Sequence, residues 1–286
     1  MKKEEQEMFD INNQLIEFKR AIEEAIIERG SDGKTSVIRS SYLINLIHDA
    51  VKFELIKNGV DSQKIYPHLG ETKPEIKLAG FLKHKDQDIC VVPDNIPKIK
   101  SVINWGPMAF QNKWDKYGQD YTNNTLVINV RSQMSSLAKN ADTLFERTFA
   151  EALNLHMKYP ELVLGEVYLI PVHEYDDAEV SKHNVAFKTN KTNVEKYISF
   201  FDSINNREIG DEFYKYERCA LLIVDFNQEQ PRLFENNQEL IDAGIISQDF
   251  GIDYSTLSFN GFVKELLSIY STRFDINNLL TEENRW

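Results

Sequence analysis

The sequence predicts an α/β fold with a central mixed β-sheet flanked by helices, and three observations carry that expectation. Short apolar runs rich in β-branched residues read as buried strands: Ile89-Cys90-Val91-Val92, Leu126-Val127-Ile128, Leu162 to Val172, and Ala220 to Phe226. Segments with apolar residues at helical spacing stand between and around them. The order is helix, helix, strands, helix, strand, helix, strand, helices, which suits a layered domain.

Taken in order, Met1 to Glu7 is highly charged and is expected to lead straight into a helix, with no signal-peptide core. Met8 to Arg29 is that helix, with Phe9, Leu15, Ile16, Ile22, Ile26 and Ile27 at helical spacing and Gly30 as its stop. Arg29 to Ser36 reads as a mildly basic loop. Its Gly33-Lys34-Thr35 looks like the end of a phosphate-binding loop. However, Glu28 stands where that motif needs its first glycine, and a helix precedes it where a strand is needed, so nucleotide binding is not expected. Val37 to Asn58 is a second helix, stopped at Gly59.

Residues 61–85 form a polar connection with a strand-like stretch at Ile76 to Leu82, feeding the strand that carries Asp88. Asp94 to Asn124 is a long insertion with Trp105-Gly106-Pro107, Trp114 and Tyr117, and an insertion of that length is usually functional or partly structured. Thr125 to Gln133 is a strand and Met134 to Ala141 a polar loop. Asp142 can cap a helix over Thr143 to Lys158, which Pro160 ends. Beyond the strand Leu162 to Val172, Val194 to Ile204 is an amphipathic helix and Leu257 to Tyr270 the last one. Residues 1–60 thus form a helical segment, and residues 61–286 a single α/β unit.

Composition narrows the function. No apolar run approaches the roughly 18 residues of a membrane span, so a cytoplasmic protein without a membrane partner is expected. Cys90 and Cys219 lie in apolar runs and read as buried reduced thiols, with no zinc spacing. The net charge of −12 argues against a nonspecific nucleic-acid binder. Its distribution leaves room for a local groove. Residues 1–60 carry 9 basic and 11 acidic groups, residues 61–150 carry 12 and 10, and residues 151–286 carry 12 and 24. The acid excess therefore lies in the C-terminal half.

Chemistry concentrates between Asp88 and Gln133. Residues two apart on a strand share a face, so Asn129, Arg131 and Gln133 project together, with Asp88 beside them. A carboxylate facing a polar row is a place for a hard cation such as Mg²⁺ and a phosphate. Asn129 brings no charge, so a second acid must come from elsewhere. Glu146, fifteen residues past Arg131, is the expected source; Glu151 ranks behind it, Glu166 lower still, and Glu75 is a possible further ligand. His156, His173 and His183 have no metal-ligand spacing, and no glycine-flanked serine elbow occurs. The aromatic and basic residues of the insertion, including Lys98, Lys100, Lys113 and Lys116, can line a groove or pack as an ordinary loop.

These residues resemble, in order, the XhoI-type restriction endonucleases of the PD-(D/E)xK nuclease superfamily. The matching pieces are Tyr42-Leu43-Ile44-Asn45-Leu46, Leu78-Ala79-Gly80-Phe81, Gln87-Asp88-Ile89-Cys90-Val91-Val92 and Ile128-Asn129-Val130-Arg131-Ser132-Gln133. Arg147-Thr148, Glu151-Ala152-Leu153, Leu164-Gly165, Tyr197 and Ala220-Leu221-Leu222-Ile223 follow. The family's Glu-x-Lys-x-Gln is Asn129-Val130-Arg131-Ser132-Gln133 here. In some members of the superfamily the second acid has moved to the following helix. The resemblance implies a restriction-endonuclease-like core and a Mg²⁺-dependent, sequence-specific endonuclease, a homodimer on a palindromic duplex. The metal would sit on Asp88 and Glu146, Arg131 at the scissile phosphate, and Asn129 and Gln133 beside the water. The N-terminal segment would serve DNA contact or dimerisation, and Lys34, Arg39, Lys113, Lys116 and Lys139 would meet the DNA backbone. The alternative is a catalytically silent relative acting as a DNA-binding or defence-complex subunit.

Overall fold

The chain opens with two helices because its apolar residues recur at intervals of three and four. The structure, a computed structural model, describes residues 7–210 and 212–285; the charged run over residues 1–6, expected to open a helix, lies outside them. Helix α1 (Ile11–Arg39) starts at Asp10, whose side chain accepts from the N–H of Asn12, and it buries Leu15, Phe18, Ile22 and Ile26. The loop expected over Arg29 to Ser36 is helical apart from a kink at Gly30, and the chain leaves the helix only at Ser40. Tertiary packing overrides the local turn chemistry here. Gly30 holds φ +55°, and a Cβ there would meet the carbonyl oxygen of Val180 at 3.0 Å. Lys34 is buried, with its Nζ 2.5 Å from Asp177 Oδ1, which pins the far side of the kink. Helix α2 (Tyr42–Lys57) therefore starts after the expected Val37, and it buries Leu43, Ile47, Val51 and Leu55.

The strands come next in the chain: β1 (Ile65–Tyr66), the hairpin of β2 (Ile76–Ala79) and β3 (His84–Gln87), and β4 (Ile89–Val91). The insertion holds a small pair, β5 (Ser101–Val102) and β6 (Trp114–Asp115), and a short helix α3 (Gln119–Asn123). Strand β7 (Leu126–Ser132) leads to helix α4 (Leu137–His156) and strand β8 (Leu164–Pro171). Then come β9 (His173–Tyr175), α5 (Asp177–Val180), β10 (Phe187–Lys191), α6 (Val194–Ser203) and β11 (Arg218–Asp225). β12 (Arg232–Leu233), α7 (Asn237–Asp242) and α8 (Phe262–Arg273) close the fold. Helix α4 begins before the predicted Asp142 cap, because Glu174 Oε1 accepts the Leu137 N–H at 2.7 Å and supplies the cap from β9. Asp142 instead lies exposed within the helix and pairs with Lys196 at 2.8 Å.

The central sheet is mixed, as expected, in the order β1-β4-β7-β8-β11-β12. Pairing is antiparallel at β1/β4, β4/β7 and β11/β12, and parallel at β7/β8 and β8/β11. Parallel neighbours need a crossover, which α4 and α6 supply. Strands β8 and β11 are buried at every residue, which is why they read as unbroken apolar runs. One face, with Ile128, Val130, Val167 and Leu222, packs against Phe18 of α1, Val51 of α2 and Leu266 of α8. The other, with Val127, Tyr168 and Leu221, packs against Leu155 of α4 and Phe201 of α6. The helical segment expected over residues 1–60 thus shares its core with the sheet. Cys90 and Cys219 are buried and free, and no helix among the described residues is long and apolar enough to cross a membrane.

A buried ionic knot ties the far edge of this core together. Glu217, fully buried, accepts from Arg207 at 2.7 Å, Arg273 at 2.8 Å and the Leu164 N–H at 2.8 Å, with His156 Nε2 at 3.3 Å. Burial pushes the Glu217 carboxyl up, but His156, Arg273 and Arg207 outweigh it and hold it down at about 2. Removing one partner of a buried pair strands the others, at a cost of about 3–5 kcal/mol. Glu217→Gln should lower the unfolding free energy by about that amount near neutral pH. Because the folded value is depressed, the wild type keeps this contribution above about pH 4.3 and loses it as pH falls towards 2. Urea unfolding of both chains at pH 7 and pH 3 measures it; an unchanged gap between them at the two pH values would rule the assignment out.

Candidate active site between β4, β7 and α4

The break between β3 and β4 places Asp88 where two sheets diverge. Across the β4/β7 ladder, where Ile89 faces Ile128, Asp88 Oδ2 accepts the Val130 N–H at 2.9 Å. Asp88 therefore stands beside the polar row of β7. Asn129, Arg131 and Gln133 lie on the face that packs against α4, the face of Val127.

Around that row gathers a four-charge cluster. Lys85 of β3 reaches Asn129 Oδ1 at 3.3 Å and Glu151 Oε2 at 2.6 Å. Arg131 donates to the same Glu151 oxygen through one terminal nitrogen and to Thr148 Oγ1 at 2.9 Å through the other. Its Nε lies 3.4 Å from Glu166 Oε1. Glu166 sits on β8 directly opposite Asn129 in the parallel register and is fully buried. Glu151 feels burial raising its carboxyl, but Arg131 and Lys85 outweigh burial and leave it below the usual range. Glu166 goes the other way: burial, reinforced by Glu151, overrides Arg131 and raises it to about 7.

The expected second acid, Glu146, is on α4 but exposed and outside this cluster. At 3.6 residues per turn it sits roughly 140° around the helix from Glu151. Thr148, Ala152 and Leu155 mark the buried face of α4, and Glu151 adjoins that stripe. That adjacency is the sequence signal that sets Glu151 beside Arg131. Arg131, expected at the phosphate, spends its donors on Glu151, Glu166 and Thr148. Gln133 is held apart, its Oε1 accepting from Tyr168 at 3.2 Å and Tyr197 at 3.1 Å. Glu75 pairs with Lys73. Of the expected DNA-contacting bases, Lys34 is buried on Asp177, whereas Arg39, Lys113, Lys116 and Lys139 are exposed. Lys85 has no motif to announce it, and Thr148 is marked only by the Arg147-Thr148 piece of the resemblance.

For magnesium the donor chemistry fits by type: two carboxylates, Asp88 and Glu151, with the Asn129 amide oxygen, are hard oxygen donors, and magnesium often takes only one or two carboxylates with water. Among the described residues no three His, Cys, Asp or Glu side chains gather as a metal cluster. Compared with protein-family models, curated proteins and solved structures, the chain matches none.

The raised Glu166 carboxyl makes stability depend on pH. An unfolded glutamate titrates near 4.3, so between there and about 7 the folded chain keeps a proton that the unfolded chain releases. The contribution is complete below about pH 4.3 and is lost as pH rises through 7, amounting to roughly 4 kcal/mol. Glu166→Gln should flatten the fall of the urea midpoint across that window. A variant that loses stability with pH as steeply as the wild type does would show that Glu166 is not the group responsible.

Proposed function

We propose that this chain is a magnesium-dependent endonuclease of double-stranded DNA with a PD-(D/E)xK-type core. One observation carries the reading. Both groups that Asn129-Val130-Arg131 lacks relative to Glu-x-Lys are supplied in space by other elements, the acid by Glu151 of α4 and the lysine by Lys85 of β3. The adjacency of the Asp88 strand and the β7 row supports it further, because phosphodiester hydrolysis needs carboxylates and a cation converging on one phosphate.

Each residue then has a role. Asp88 and Glu151 hold the metal, which when bound supplies Lewis-acid stabilisation of charge developing on the phosphate. The Lys85 ammonium, steered by Asn129 Oδ1, donates to the attacking water or a non-bridging phosphate oxygen. Arg131 positions Glu151, since a guanidinium that cannot release its proton suits a fixed clamp better than a catalytic acid. The working unit is a homodimer on a palindromic duplex, where protein and site share a two-fold axis.

Cleavage of mixed plasmid DNA with Mg²⁺ tests this. Asp88→Ala and Glu151→Gln should abolish cutting, Lys85→Ala should lower the rate about 10²–10³-fold, and Glu146→Gln should leave it unchanged. A specific observation favours a second reading, a DNA-binding protein that does not cut: Glu151 is already occupied by two cations. A wild type that binds duplex but never cuts under any metal or salt condition decides for that reading.

A further inference from the structure

The insertion between β4 and β7 builds an arm whose chemistry the hydrolytic site leaves unused. Its root is rigid. Asp115, buried on β6, accepts from Lys158 Nζ at 2.9 Å, Tyr159 OH at 2.6 Å and the N–H groups of Tyr117 and Gly118. A second anchor joins it to the β2/β3 hairpin, where His84 Nε2 lies 2.9 Å from the Trp114 carbonyl and the Phe81 and Trp105 rings approach to 5.3 Å. His84 is the neighbour of Lys85 on β3, so the arm and the proposed site are mounted on one strand.

From this fixed root the arm presents apolar surface to solvent. Phe110 at its tip is 94% exposed, and Val102, Trp105 and Trp114 are each exposed by 44% or more. Exposed aromatics grouped like this mark an interaction surface. Between Lys98 and Tyr117 the arm carries four lysines and one acid, the buried Asp115, in a chain whose net charge is −12. Among the described residues none of Lys98, Lys100, Lys113 and Lys116 pairs with a carboxylate, and Lys100 sits 4.6 Å over the Trp114 ring. A second copy of the chain on a two-fold axis would bring these like charges together. An anionic partner with flat π faces satisfies both the lysines and the rings.

Resting on the nucleic-acid half of the function proposed above, we infer that the arm over residues 98–117 is a DNA wedge. Phe110 enters an opened base step while Lys113 and Lys116 hold the flanking phosphates. Apolar side chains inserted between base steps kink duplexes in this way, and the step costs least where a pair is already mismatched. A pre-formed arm avoids the ordering cost that a flexible one would incur on binding.

The test is binding of 30-base-pair duplexes in EDTA, one matched and one carrying a single mismatch beside a 2-aminopurine. The wild type should prefer the mismatched duplex about tenfold and raise the 2-aminopurine fluorescence. Phe110→Ala should lose both effects and Phe110→Trp should keep them. Lys113→Ala with Lys116→Ala should lessen the salt dependence of binding by about two units of log–log slope. Phe110 is so exposed that its variants should melt like the wild type, which calorimetry verifies. The inference is overturned if Phe110→Ala binds and unstacks as the wild type does, if the wild type binds no duplex, or if light scattering shows a dimer that Phe110→Ala dissociates. Because no cutting is needed, the wedge and the nuclease can fail separately: a chain that cuts plasmid but ignores Phe110 loses only the wedge.

Discussion

Everything around the candidate site depends on how Arg131 balances two carboxylates at the seam of β7, β8 and α4. Glu166 and Glu151 approach the same guanidinium from a strand and a helix, and Lys85 adds a second cation from β3. Gathering charge beneath a sheet face costs desolvation that only close pairing offsets. Two cations against two acids leave the cluster near neutrality when both acids are ionised. The balance is uneven, however: both cations reach one oxygen of Glu151, and Glu166 takes only the distant Nε. Hence one carboxyl is held down and the other is pushed up.

Topology makes that meeting unavoidable. The parallel pair β7/β8 needs a crossover, α4 provides it, and the register sets Glu166 opposite Asn129. Glu151 and Thr148 of α4 then meet Arg131 in the polar row of β7. The antiparallel β4 brings Asp88 to the other side of the same row through a single backbone hydrogen bond. The site is thus assembled by four elements, β3, β4, β7 and α4, with β8 forming its floor.

Much of this was legible from the sequence, and the failures have physical causes. The strands around Asp88 and Asn129 showed in their β-branched runs, and so did the mixed sheet. The face shared by Asn129, Arg131 and Gln133 followed from the strand period of two. Glu146 and Glu151 differ in helical angle, which distance along the chain does not reveal: Glu146 is exposed, and Glu151 meets Arg131 and Lys85. Thr148, Ala152 and Leu155 already marked the buried stripe to which Glu151 is adjacent. Lys34 was assigned to a loop from its glycines, whereas a kinked helix buries it against Asp177, a partner 143 residues away that no local rule could supply. Lys85 was invisible for the same reason, since its link to Glu151 spans 66 residues.

Arg131 and Lys85 divide the cationic contacts around Glu151. A guanidinium offers donors in a fixed plane and keeps its charge, which suits a residue that must hold Glu151, Glu166 and Thr148 at once. An ammonium also has three donors, but all on one nitrogen, whereas the guanidinium meets its three partners from three separate nitrogens. Lys85 reaches Glu151 and Asn129 from its single nitrogen. In this arrangement Arg131 ties α4 and β8 to β7, and Lys85 ties β3 to the same helix.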